Sequence, residues 1–253
     1  MKLVGWDVRH FDTLASTNDW LLERARGGAP AGEVAVADHQ SAGRGRLGRR
    51  WEAPRGCSLL VSVLLRPVAP VTTLFTCTAA VALATSDACR RVAGVEPGLK
   101  WPNDLVIGEE KLAGVLAESD PSAPGGEPGS VAVVVGVGCN VDWAPPGATS
   151  LAAHSVTPVG RDVLLDAMLD GLSARVPSLD TDDGRRETVA ELRARCVTIG
   201  RDVRVETAGG GTTVGVACAL DDDGRLVVAT GAGELVVAAG DVVHLRPAAA
   251  GPM

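Results

Sequence analysis

The sequence predicts an α+β protein, and three features of it lead there. Helix-period and strand-period segments mix without regular βαβ alternation up to residue 196, which disfavours a doubly wound sheet. The stretches 57–65, 112–118 and 131–137 are almost wholly apolar, as strands covered on both faces are. From about residue 198 the chain turns to short strands separated by glycine or Asp-Gly turns, the pattern of a small antiparallel barrel. With 253 residues, 46% of them hydrophobic and 22% charged, there is chain enough for a sizeable core in one large or two unequal domains.

The elements follow in order. Ser16-Thr17-Asn18-Asp19 before WLLERAR and Gly27-Gly28 reads as an N-cap, a short helix and a glycine stop. Residues 33–38 alternate weakly and predict a strand; 57–65, between Gly56 and Pro67, predict a buried one. Positions 74, 78, 81, 85, 88 and 92, apolar except for Thr78 and Thr85, follow helical spacing, with Gly94 just beyond. Pro102 biases Trp101 to an extended form, so two short strands and a turn are expected around 99–107. Buried strands follow at 112–118 and 131–137, joined by a flexible hairpin loop at 119–130. Helical patterns return at about 161–176 and 185–196. The expected boundaries are a main domain at 1–197, a barrel at 198–247 and a disordered tail at 248–253.

Composition narrows the functional classes. A net charge of −7 and a pI near 5.1 oppose nonspecific nucleic-acid binding, which needs a basic footprint. No apolar run reaches the roughly 18 residues of a membrane span. Asp7, Arg9 and Asp12 stand where a signal peptide is apolar, so a cytoplasmic protein is expected. The six cysteines (57, 77, 89, 139, 196, 218) form no CxxC pair and read as buried free thiols. Tyr is absent and Ile and Phe occur twice each, a bias that GC-rich codons explain. Against it, Lys survives only at 2, 100 and 111, Asn at 18, 103 and 140, and Gln at 40. Lys100 and Lys111 stay lysine where Arg is otherwise preferred, as a site needing a compact ammonium requires.

The segment His39 to Trp51, HQSAGRGRLGRRW, satisfies G-x-G-x-x-G at Gly43, Gly45 and Gly48. A dinucleotide fold also needs a helix at the third glycine and an acid about twenty residues on. Trp51-Glu52-Ala53-Pro54 blocks the helix and 61–67 carries no acid, so that reading fails. What remains is Arg44, Arg46, Arg49, Arg50 and Arg55 against the single acid Glu52, a positive island in an acidic chain. Guanidinium forks suit phosphate or carboxylate oxygens, glycines allow close approach and movement, and Trp51 offers a face for a base. KWPND at 100–104, KLAG at 111–114 and GVGCNV at 136–141 add two amines, the carboxylate Asp104, and the amides Asn103 and Asn140. Lys111, opening a buried strand, is expected to point into a cleft.

Taken together, STN (16–18), HQSAGRGRLGR (39–49), KWPND, KLAG and GVGCNV resemble the biotin protein ligase family in order and separation, over nearly the whole chain. The resemblance implies a class II synthetase-like (biotin–lipoate ligase) catalytic domain with a mixed sheet, followed by an SH3-like barrel. It implies ATP-dependent formation of biotinyl-5'-AMP and transfer of biotin to a lysine of a biotin carboxyl carrier domain of an acyl-CoA carboxylase. Mg²⁺ is expected to accompany ATP. Ser16, Thr17, Asn18, Gln40, Gly43, Arg44, Lys111 and Gly114 are the biotin-binding positions implied. Arg44, Arg46, Arg49, Trp51, Asn103, Lys111 and Asn140 are those for ATP and the adenylate. Lys100, Asp104, Lys111 and Arg46 carry the implied catalytic roles, with residues 43–50 as a mobile lid. Leu47 departs from the family, some members having a further arginine there. Regulatory members carry an N-terminal helix-turn-helix; here the first motif begins at residue 16, so the monofunctional type, without DNA or membrane partners, is expected. The oligomer is a monomer or weak homodimer. The rival readings are a lipoate ligase, a biotin-responsive repressor and an inactive ligand-binding module.

Overall fold

The structure is a computed structural model and describes residues 5–70, 74–206, 211–238 and, as backbone, 241–244. The expected tail at 248–253 lies outside these. The strands β1 (Asp7–Phe11), β2 (Glu33–Ala37), β3 (Ser58–Leu65), β4 (Gly98–Lys100), β5 (Asp104–Ile107), β6 (Glu110–Asp120) and β7 (Ala132–Asn140) form one mixed sheet. Its order is β1-β2-β3-β7-β6-β5-β4, with β1 and β2 parallel and every other pair antiparallel. Four helices accompany it: α1 (Thr17–Arg26), α2 (Phe75–Ala93), α3 (Arg161–Arg175) and α4 (Asp182–Ala194). The strands β8 (Asp202–Glu206), β9 (Thr212–Leu220), β10 (Leu226–Thr230), β11 (Gly233–Val237) and β12 (Asp241–His244) make a second, antiparallel sheet in the order β11-β10-β9-β8-β12. The α+β reading and the small barrel are what the chain forms.

The period of two explains where the site lies. On β7 the odd positions Val133, Val135, Val137 and Cys139 enter the main core with α2 and α3. The even positions face the other way: Ala132 and Val134 lie under α1, against Leu21, Leu22 and Ala25. Beyond α1 the same face continues as Gly136, Gly138 and Asn140. On β3, Leu64 belongs to the α1 side, whereas Ser62 and Ser58 pair with Gly136 and Asn140. The sheet therefore turns from apolar to glycine and hydroxyl where helix cover ends. Gly136 and Gly138 on that strip form the floor of the cleft.

Caps match the expected ones. Ser16 accepts the Asp19 N–H at 3.3 Å, and Gly94 closes α2 in the left-handed conformation. α2 is buried nearly all round, because its many small residues fit between sheet and α3. Asp87 on α2 joins Arg175 on α3 (2.6 Å) and Arg195 after α4 (2.7 Å), and both arginines also hold Glu191. Burial alone would raise the Asp87 carboxyl, but its bonds from Arg195 and Arg175 hold it below the usual carboxylate range.

Two expectations need correction. The 119–130 loop is pinned: Arg66, 3% exposed, donates to the carbonyls of Pro124 (2.8 Å) and Gly125 (2.6 Å), and to those of Ala25 in the last turn of α1 and Ala29 just after it. Burial lowers the pKa of this guanidinium. The thiols of Cys77, Cys89 and Cys139 are buried, and burial pushes Cys77 to about 12, but Cys57 and Cys196 are half-buried and Cys218 is exposed. Strand β1 had no alternation to announce it, since it is an edge strand with mostly exposed residues.

Candidate active site

The predicted segments converge on one cavity of about 300 Å³ beside the end of α1. Ser16, Thr17, Asn18, Gln40 and Gly114 line it together with Arg44, Arg46, Arg49, Arg50 and Trp51. Lys100, Asn103, Asp104 and Lys111 complete the wall. Gly43 and Asn140 are outside the lining.

The first turn of α1 makes one end. Gln40 Oε1 accepts from the Thr17 N–H at 2.7 Å and lies 3.0 Å from Thr17 Oγ1. Ser62 Oγ is 2.7 Å from Thr17 Oγ1 and 2.6 Å from Asn18 Oδ1. Asn18 donates both amide protons, to Leu116 O (3.2 Å) and Glu118 (2.8 Å). A methyl on Gly136 would collide with Asn18, and one on Gly138 with the Trp51 ring, so glycine is required beneath both. Sequence reasoning missed Ser62 and Glu118. Ser62 left a signal, a hydroxyl inside the apolar run of β3, whereas Glu118 opens the polar end of β6, Glu-Ser-Asp, and left none.

Cations make the other end. Lys111 Nζ is 2.7 Å from Asp104 Oδ1 and 5.6 Å from the centre of the Trp51 ring, a cation–π contact. Its backbone carbonyl accepts from Thr149 N at 3.0 Å, and Asn140 Nδ2 holds Thr149 O at 3.0 Å. Asn140, 1% exposed, thus braces Lys111 from behind while its Oδ1 has no partner among the described residues. Arg46 donates to Asn103 Oδ1 at 3.1 Å, and Asn103 Nδ2 to Val115 O at 2.7 Å. Burial lowers the Arg46 pKa, with Asp104 opposing and Arg49 adding to the effect. The Lys100 side chain has no hydrogen bond or ion pair among the described residues, though its backbone pairs with Asp104 in the sheet.

The five arginines are not one positive island. Arg55 is tied to Asp12 O (2.7 Å) and Thr13 Oγ1 (2.6 Å), and Arg44 to Asp19 and Glu118. Arg50 lies 3.6 Å from Glu52. Acids outside the loop meet Arg44, and Glu52 lies near Arg50, while Arg44, Arg46, Arg49 and Arg50 all reach the cavity wall. The loop is itself a hairpin: Trp51 N donates to Gly43 O (3.0 Å) and Gly45 N to Arg49 O (2.7 Å). A methyl on Gly43 would strike the Trp51 carbonyl, which gives that glycine a packing role. Leu47 stands at the tip, 56% exposed, at φ 55°.

These features recur in known proteins. Residues 11–140 match the biotin/lipoate A/B protein ligase family, and residues 198–245 match the biotin protein ligase C-terminal domain. The chain belongs to this family, among its biotin protein ligases. It is 42% identical to the biotin--[acetyl-CoA-carboxylase] ligase of Mycobacterium tuberculosis over 96% of this chain and 91% of that one. For the enzyme of the same description in Paracoccus denitrificans the identity is 33%, covering 90% and 96%. The biotin protein ligase of Aquifex aeolicus in complex with biotin and ATP superposes with a TM-score of 0.77 at 25% identity, covering 95% and 99%.

Proposed function

We propose that the protein is an ATP-dependent biotin protein ligase that forms biotinyl-5'-AMP in this cavity and passes biotin to a lysine of a biotin carboxyl carrier domain. The observation that carries the reading is one cavity with a hydroxyl-and-amide end and a cationic end. At the first end hydrogen-bond accounting favours a cyclic urea. Asn18 has committed both donors, so its Oδ1 takes the Ser62 proton. Thr17 Oγ1 therefore keeps lone pairs for a ligand N–H, while Ser16, accepting from Asp19 N, keeps its proton for a ligand carbonyl. Biotin presents both groups; the dithiolane of lipoate presents neither.

At the other end a carboxylate must meet the α-phosphorus although both are negative. Lys111, Arg46 and Arg49 offset that repulsion and stabilise charge on the phosphoryl oxygens, in a partly dry site where such contacts count most. Mg²⁺ belongs with ATP in this scheme. Among the described residues no three His, Cys, Asp or Glu side chains gather to hold a metal, and Asp104, the carboxylate on the wall, faces Lys111. A bound ion supplies further neutralisation of the phosphates. Trp51 is assigned to the purine, and Asn140, buried outside the lining, to holding Lys111 from behind through Thr149.

For transfer, an acceptor lysine is neutral in only about one molecule in a few thousand at pH 7. Once Lys111 turns to the phosphate, Asp104 is released to orient the incoming ammonium and take its proton. Residues 43–50 shield the mixed anhydride from water meanwhile. No helix among the described residues is long and apolar enough to cross a membrane, and the free cysteines fit a reducing cytoplasm. Pyrophosphate exchange with biotin and lipoate as competing acids tests the reading. Biotin is expected to be preferred about 10³-fold or more, since an analogue lacking N–H groups leaves buried acceptors unpaired. Equal use of lipoate refutes it.

A further inference from the structure

Glu118, at the far end of β6, is the meeting point of two parts of the site. Its carboxylate accepts from Asn18 Nδ2 at 2.8 Å, and Arg44 donates to its two oxygens at 3.0 and 2.9 Å. The same Arg44 nitrogen reaches Asp19, in the first turn of α1. Arg44 is also where the 43–51 hairpin begins, pairing across it with Arg50. One acid thus fixes which way the Asn18 amide points and ties the root of the arginine loop to β6 and α1.

We infer that Glu118 is a positioning residue, holding the Asn18 amide for the acid's head group and anchoring the arginine loop through Arg44. The inference rests on the ligase reading above. It follows that Arg44, held by Asp19 and Glu118, is an anchor for the loop. A fixed root beside a tip carrying only Leu47 and Gly48 lets the loop open without disturbing the head-group end. Ser62 completes the arrangement from below, because Asn18 Oδ1 faces it only while both amide protons point the other way.

The test uses Glu118→Gln and Asp19→Asn in the full chain, with circular dichroism to show native folding. Glutamine keeps an acceptor for Asn18 but turns an amide toward Arg44. In Glu118→Gln the KM for biotin in pyrophosphate exchange should rise about tenfold, the scale of one charge-assisted hydrogen bond. Release of free adenylate should rise several-fold, with kcat for exchange within about twofold of wild type. Asp19→Asn loosens only the loop tie, so adenylate release should rise without the loss of biotin affinity. A merely structural role predicts lower melting temperature without this split between KM, kcat and release. Folded variants with wild-type KM and wild-type retention overturn the inference while leaving the ligase reading intact. A wild-type protein that exchanges no pyrophosphate with biotin overturns that reading instead.

Discussion

Two segments supply most of the reactive groups, and they are held in opposite ways. The loop 43–51 is a hairpin whose backbone bonds across itself, with Arg44 and Arg46 reaching out to Asp19, Glu118 and Asn103 and an exposed leucine in the left-handed region at its tip. The turn 100–104 is gripped from outside: Trp101, 3% exposed, donates its backbone N–H to Thr198 Oγ1 (3.0 Å) and its indole N–H to Gly224 O (2.9 Å). Leu99 exchanges backbone bonds with Arg195 and Val197 on the way into the barrel. The barrel therefore buttresses the turn that presents Lys100 and Asp104, whereas the loop is free to respond to ligand. Lys111 joins the two, against Asp104 on one side and Trp51 on the other.

Breaking that junction should have the largest effect. Lys111→Arg keeps the charge, but a planar fork does not reproduce a compact ammonium placed between Asp104 Oδ1 (2.7 Å) and the Trp51 ring. Adenylation measured by pyrophosphate exchange should fall by roughly two orders of magnitude, the range seen when one electrostatic stabiliser is removed. Next comes the buttress: Trp101→Ala should cost about 3–5 kcal/mol of stability in denaturant unfolding, as large core truncations do. The smallest effect belongs to the loop tip. Leu47→Gly relieves a left-handed backbone and should stabilise by up to about 1 kcal/mol in the same assay. A larger loss at Leu47 than at Trp101 would reverse the comparison.

The fold was legible where periodicity was strong. Apolar strands β3, β6 and β7 and the α1 cap were readable because burial on both faces and capping leave local marks. Strand β1 left none, being an exposed edge. The site was legible in its rare residues: Lys100, Lys111, Asn103 and Gln40 all reach the cavity. Charge counting misled on the arginines, since Asp19 and Glu118, distant in sequence, fold back onto Arg44. Asn140 shows the same limit, because only the pairing of the 148–149 segment with Lys111 reveals it behind that lysine. Long-range pairing, not composition, decides which members of a charge run face the ligand.

The central claim is that one cavity forms an acyl adenylate and the arginine loop retains it. The direct measurement is mass spectrometry of the small molecule that co-elutes with the protein after incubation with biotin and ATP, for wild type and Arg46→Ala. Biotinyl-5'-AMP should stay with the wild type in near-stoichiometric amount and escape from Arg46→Ala, to hydrolyse in solution. No adenylate on the wild type, or equal retention by both proteins, contradicts the account.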